Sequence, residues 1–270
     1  MIDPAQCAKH VEDAYGFELP FGLAHDFRLP EVFGLQLTKF MVIELIAAGL
    51  MIVLFVPLAR KAASGAPPRG WLWNMLEAMV LFVRDQMVRP AIGHRHEADR
   101  FVPFILTLFF FILFCNLLGL VPWLGSPTGA ISVTAALAFL SFAVVVGAGM
   151  KKYGPLGFIL GLCPRMDLPL PLKLAMFVIM LPIEILGMLI KHTILAVRLL
   201  ANMFAGHLVL AVILFFIAEF ADSVAWYGVM PAGVIGATAL SLLELLVAFL
   251  QAYIFSFLTS LFIGMALHQH

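Results

Sequence analysis

Charge is what this chain has least of. Of its 270 residues only 12% are Asp, Glu, Lys or Arg, where an ordinary soluble domain has about a quarter. The hydrophobic share is 63% and mean hydropathy is +1.05, which excludes a soluble globular class and points to an all-α polytopic membrane protein. Sixteen basic residues balance sixteen acidic ones, so no nucleic-acid partner follows from bulk charge. Cysteine is scarce. Cys7, Cys115 and Cys163 form no CxxC and no metal-ligand spacing, so neither a metal nor another cofactor is expected. No phosphate-cradling glycine loop is present, which leaves nucleotide chemistry without a site in this chain. There is no 20–50-residue repeat and no low-complexity tract. The first 35 residues lack a basic segment followed by an apolar one, and no cleavable signal peptide is expected.

What is present is a series of long apolar runs. A span needs about 20 apolar residues to cross a bilayer core of about 30 Å. Residues 1–36 are mixed and proline-punctuated, and read as an irregular polar arm outside the membrane. A single membrane domain is expected over 37–270, with helices at about 37–58, 101–122, 131–150, 171–220 and 231–267. Residues 71–90 place Asn74, Glu77, Arg84 and Asp85 near one face, behind Trp71. That pattern suits a helix lying in the interface, with a true span as the alternative. Gly157 and Gly161 have GxxxG spacing, but Pro155 and Pro164 beside them favour a re-entrant or loop feature over a dimerisation face. The run from 171 to 220 would make a helix about 70 Å long, over twice the bilayer core. It is two spans or one steeply tilted helix. Only Gly187 interrupts it between Pro182 and Gly206, and this favours the tilted helix.

Basic residues set orientation. Residues 59–100 carry seven and residues 151–173 carry four, whereas 123–129 and 221–231 carry none. Five crossings with the N-terminus outside and the C-terminus inside satisfy this alternation.

Within the longest run, Glu184, Lys191, His192, Arg198, Asn202 and His207 are out of place. Ionisable groups at membrane depth are costly and mark ion paths or water-filled cavities. Arg198 stays charged in any setting. Its helical neighbours are Ile194, Leu195, Ala201 and Asn202, so its own helix offers no counter-ion. Small residues in the strip Arg198, Ala201, Asn202 and Ala205 let another helix approach, or serve internal packing. Glu184 and Lys191 share roughly the arginine's face. They line an inner aqueous path or snorkel toward the interface. Glu44, in the first span, has a packing or water-facing role.

The last helix contributes Glu244 and Gln251, seven residues apart and on one face. In an antiparallel hairpin, residues at one depth have a constant index sum. Arg198 with Gln251 gives 449 and His207 with Glu244 gives 451, so one register serves both pairs. His207 and Glu244 then form a polar cluster toward the outer face. It is either a proton relay or a buried pair that fixes helix register. Two polar zones, one for each side, are separated by Arg198.

The wording of these segments resembles a family. A-V-R-L-L-A-N-M-F-A-G-H-L, from Ala196 to Leu208, is similar to the core motif of subunit a of the F-type rotary ATP synthases. Asn116 to Pro122, Ser132 to Ala138, and Leu250 to Phe255 resemble further blocks of that family. The resemblance implies a non-catalytic, ion-translocating stator subunit in the membrane sector, with two tilted helices packed against a ring of c subunits. It implies partners in that ring and in peripheral-stalk b-type subunits, and protons as the transported ion. The family's arginine matches Arg198, between two half-channels, and its glutamine matches Gln251. Many bacterial members carry Glu at His207 and His at Glu244. Here the pair is exchanged, as is common in mitochondrial versions. The resemblance implies a bacterial inner membrane, or a mitochondrial one as the alternative.

Two other classes compete. A self-contained ion-coupled secondary transporter would show internal repeats and interrupted helices in corresponding halves, and neither is evident. A membrane haem protein would need axial ligands beyond His192 and His207, which lie fifteen residues apart on one helix. The last helix offers only His268 and His270 at its end.

Overall fold

The computed structural model describes residues 16–17, 27–28, 31–32, 35–36, 38–63, 70–121, 125–161, 170–220 and 226–268. The N-terminal arm, expected to be irregular, carries two antiparallel pairs of two residues each: β1 (Gly16–Phe17) with β2 (Phe27–Arg28), and β3 (Glu31–Val32) with β4 (Leu35–Gln36). The rest of the regular structure is helical. α1 (Lys39–Ala63) is followed by α2 (Trp71–Phe82), a π-helical turn (Val83–Val88), α3 (Arg89–Ile92) and α4 (Arg95–Gly119). A 3-10 turn (Pro127–Gly129) then leads to α5 (Ile131–Gly161), α6 (Leu170–Glu219) and α7 (Trp226–Leu267). Among the described residues α1, α4, α5, α6 and α7 contain segments long and apolar enough to cross a membrane. The chain is an all-α polytopic membrane protein.

Helices in hydrocarbon must satisfy their polar groups internally, and six hydroxyls here do so, whereas the buried Ser256 Oγ has no partner among the described residues. Thr107, Thr193, Thr238, Ser241, Thr259 and Ser260 each donate to the carbonyl four residues earlier, at 2.8–2.9 Å. This explains how such residues sit inside apolar helices without opening them to water. The 50-residue α6 is one continuous helix through Pro182, which decides between the two readings of the 171–220 run.

Contacts divide the chain into two compact units. The first comprises Met1–Pro67, Phe110–Thr134 and Arg198–Ala252. Ile43, Phe110, Ile112 and Leu199 are buried in it, and the rings of Phe55 and Phe110 pack at 4.4 Å between centroids. Its parts of α6 and α7 run antiparallel with close backbones. Gly206 lies against the Glu244 side chain, and a methyl at Gly233 would come within 2.6 Å of Ile217. Both pairs have an index sum of 450, between the two values expected from sequence.

The second unit comprises Pro68–Phe109, Ala135–Val197 and Tyr253–His270, with Met87, Ile105, Phe109, Val145 and Ile263 buried. Gly264 sits directly on the carbonyl of Ala91, leaving no room for a side chain. Arg84, Asp85, Arg89 and Asp99 form a chain of ion pairs at 2.7–3.0 Å. It ties the π turn and α3 to the start of α4 across Gly93, whose φ of 90° suits glycine. The Arg84 hydrogen bonds hold the Asp85 carboxyl below its usual range, and Arg89 adds to the effect. A depressed carboxylate contributes stability above its unfolded pKa and loses it as pH falls.

One expectation needs correcting in this unit. The third span breaks at Gly154, close to its expected end near 150, but the segment after it is a short helix rather than a loop. Helix continues to Gly161, interrupted only at Gly154, where φ is 76° and ψ 163°. Glycine alone adopts that conformation without strain, and Pro155 is pre-shaped to restart a helix. The break returns Phe158 against Gly149, where a Cβ would collide with the ring. The tyrosine before the break, Tyr153, donates at 2.7 Å to the Leu267 carbonyl and so secures the end of α7.

Candidate functional site

In the first unit the polar residues singled out from sequence lie on α6 and α7. Arg198 is half-buried on α6 and has no hydrogen bond or ion pair among the described residues. Ala201, Asn202 and Ala205, on the turns that follow, are exposed. The guanidinium therefore stands beside an exposed helix flank of mostly small residues, without a polar partner among the described residues. Gln251 on α7 is 4% exposed and makes no hydrogen bond to Arg198.

His207 and Glu244 are both half-buried. The antiparallel packing brings Glu244 against Gly206, one residue from His207, yet the two side chains share no hydrogen bond or ion pair. The Nε2 atom of His207 is enclosed and has no partner in the described residues. The two residues are thus close in the antiparallel register without a hydrogen bond or ion pair between them. A proton moving between these groups needs a mediating water or a rotamer change.

A polar anchor that sequence reasoning passed over holds this part of α7. Asn116, fully buried near the end of α4, donates from Nδ2 to the Ala248 carbonyl at 3.3 Å. Its Oδ1 accepts from the Thr128 hydroxyl at 2.7 Å, and Thr128 is 2.7 Å from Ser126 Oγ. Ser126 packs on Gly119, where a Cβ would lie 2.5 Å from its own. One amide thereby joins α4, the 3-10 turn and α7, one helical turn from both Glu244 and Gln251. The signal was an amide in an apolar run. Asn116→Leu should leave Thr128 and the Ala248 carbonyl unpaired, at about 1–3 kcal/mol for each stranded group. The expected outcome is reduced thermal stability of the purified protein, with the tryptophan environment near Trp226 unchanged.

In the second unit Glu184 and Lys191 are exposed on α6 and line a cavity of about 130 Å³ with Met188, His192, Val145, Phe158, Phe262 and Met265. The Lys191 ammonium lies 5.9 Å from the centroid of Phe262, a cation–π distance. Glu44, in the first unit, is half-buried and within electrostatic reach of Cys115. Among the described residues no three His, Cys, Asp or Glu side chains gather as a metal site.

The chain as a whole is similar to known proteins. The family profile described as ATP synthase A chain matches residues 41–264. ATP synthase subunit a of Chloroherpeton thalassium is 41% identical over 265 residues, covering 95% of this chain and 75% of the relative. That of Anaeromyxobacter dehalogenans (strain 2CP-C) is 39% identical over 280 residues, covering 97% and 70%. The Myxococcus xanthus protein is 40% identical over 243 residues, covering 87% and 75%. With five helices able to cross a membrane and a family match over most of its length, this chain belongs to the ATP synthase A chain family.

Proposed function

We propose that this chain is the proton-conducting stator subunit of a bacterial rotary ATP synthase. Two offset half-channels deliver protons to, and collect them from, carboxylates on a rotating ring of c subunits, and Arg198 separates the two. The observation that carries this reading is Arg198 itself: a permanent cation on an exposed flank of Ala201, Asn202 and Ala205, with no counter-ion among the described residues. A buried or half-buried cation needs an opposite charge, and small neighbours admit a second helix closely. A carboxylate-bearing rotor helix meets both requirements. His207 and Glu244 serve the outer half-channel, Gln251 stands beside the arginine, and Glu184 and Lys191 serve the inner one. Peripheral-stalk b-type subunits hold the chain against the torque of the ring. The chain itself carries no nucleotide chemistry.

Purification through a tag on this chain tests the assignment. A c ring and b-type subunits should accompany it in fixed proportion. A lone protein that moves ions by itself in liposomes would instead favour the secondary-transporter reading.

The orientation proposed from the Lys/Arg distribution puts residues 1–36 outside, and 59–100, 151–170 and the C-terminus inside. In a chain whose Cys7, Cys115 and Cys163 are replaced by serine, a cysteine introduced by Ser64→Cys should resist an impermeant maleimide added to intact cells and react in inverted vesicles. Labelling from outside would reverse the orientation.

A further inference from the structure

The second unit carries a basic recess that no step proposed above uses. It has a volume of about 510 Å³ and lies where the start of α4, the turns of α5 before Gly154 and the end of α7 come together. Glu97, Arg100 and Phe101 line it from α4, and Leu267 lines it from α7. From α5 come Val144, Gly147, Ala148, Lys151 and Lys152. Lys152 binds both oxygens of Glu97, at 2.8 and 3.0 Å, so the one carboxylate in the lining is already paired. Arg100 and Lys151 are exposed, and neither has a hydrogen bond or ion pair among the described residues. Three cations against one carboxylate leave the lining with an excess of two positive charges.

All three helices change character at this recess. There is no Asp, Glu, Lys or Arg on α4 from Phe101 to Gly119, on α5 from Ile131 to Met150, or on α7 from Leu245 to Leu267. The cations therefore stand where the apolar spans end, at the level of lipid headgroups. Leu140, Val144, Gly147 and Lys151 follow one another at spacings of four, three and four residues, on one face of α5. Leu140 is 48% exposed, and a Cβ at Gly147 would meet open space. A groove without a side chain at Gly147 thus leads from Lys151 along the apolar surface of the helix. A soluble anion would use the two cations and leave this groove empty. A neutral lipid would do the reverse. Basic pockets between membrane helices suit ligands with an anionic headgroup and an apolar tail.

We propose that this recess binds an anionic phospholipid, with its phosphate against Arg100 and Lys151 and an acyl chain in the groove over Gly147. The inference does not depend on the half-channel reading. The competing account is that both cations only snorkel to the bilayer surface and attract anionic lipids without holding any one of them.

The test uses the chain purified with the subunits that accompany it, in mixed micelles. A phosphatidylglycerol with a photoreactive acyl chain is added, and the labelled peptides are mapped. Labelling within residues 97–104 and 140–152 should saturate. Unlabelled phosphatidylglycerol should displace it, and neither phosphatidylcholine nor inorganic phosphate should. Arg100→Gln and Lys151→Gln should each lower labelling at subsaturating lipid about fivefold, the scale for one basic residue at a membrane surface. Gly147→Leu leaves every charge in place and puts its side chain into open space. It should reduce labelling to the level of a photoreactive phosphatidylcholine. Equal labelling of the wild type by the two lipids overturns the inference, and so does displacement by inorganic phosphate. Labelling unchanged by Gly147→Leu also overturns it, and is the outcome expected of snorkelling cations. A Gly147→Leu chain that loses its accompanying subunits overturns it too, because another subunit must then fill the groove. If the two charge variants do not assemble, the wild-type competition and Gly147→Leu decide.

Discussion

Arg198→Ala should abolish ATP-driven proton pumping and also let protons leak through membranes stripped of the catalytic sector. Both effects follow from a fixed cation on the exposed flank of α6 without a partner among the described residues. A carboxylate arriving within about 4–6 Å of that cation has its pKa lowered by about 1–3 units, a 10–1,000-fold shift toward the ionised form. It therefore gives up its proton at the arginine and takes up another only after moving on. Without the cation the carboxylate stays protonated as it passes, and rotation decouples from transfer. The same charge in a low-dielectric wall opposes passage of hydrated protons between the two polar zones, and its loss opens the leak. Arg198→Lys should fail in a different way. An ammonium is a compact charge that can lose its proton when buried, and it lacks the planar fork of donors. Coupled synthesis should be lost while the membrane stays tighter than with alanine. Pumping measured by dye quenching and proton uptake under an imposed potential distinguish the two variants. An alanine variant that pumps normally across a tight membrane would overturn the stator reading.

Much of this arrangement was legible in the residues because membrane helices leave few choices. Long apolar runs can only be helices when the backbone has no water to bond, and the residue numbers of polar groups then convert into depth at a fixed rise. The index sums of 449 and 451 expected for Arg198 with Gln251 and His207 with Glu244 compare with 450 for the observed contacts of Gly206 with Glu244 and Gly233 with Ile217. Depth, however, is not contact. The sequence could not show that the His207 and Glu244 side chains form no hydrogen bond or ion pair, because rotamers depend on packing that periodicity does not encode. The helix after Gly154 was hidden for a related reason. Pro155 and two glycines read as loop signals, but a positive-φ glycine followed by a proline also restarts a helix, and only the space for Phe158 at Gly149 decides between them. Asn116 and His192 were visible as polar residues in apolar runs. The Ala248 carbonyl that Asn116 binds is 132 residues away, the Phe142 and Phe262 rings beside His192 come from other helices, and neither is encoded in local spacing.

The geometry at His207 and Glu244 makes a sharper test of the outer half-channel than removal of either group. The two lie near one another on facing helices, with the Glu244 carboxylate against Gly206 and no hydrogen bond or ion pair between them. If protons pass between them through a mediating water, what matters is that one position carries an imidazole and the other a carboxylate. Which helix carries which matters less. His207→Ala and Glu244→Gln should each lower proton pumping by about tenfold. The double change should cost less than the product, because groups sharing one proton path couple by about 0.5–3 kcal/mol. The exchange His207→Glu with Glu244→His should recover activity to within about threefold of wild type, although either half of it alone puts two like groups at one depth. For His207→Glu alone, two carboxylates would face each other, and one of them would hold its proton. Gly206→Ala adds an independent check. The new methyl collides only with the end of the flexible Glu244 side chain, so the complex should assemble while the carboxylate is displaced and pumping falls. Independent, additive effects of the two single changes, an exchange variant no better than its halves, and a fully active Gly206→Ala complex would together remove His207 and Glu244 from a shared path.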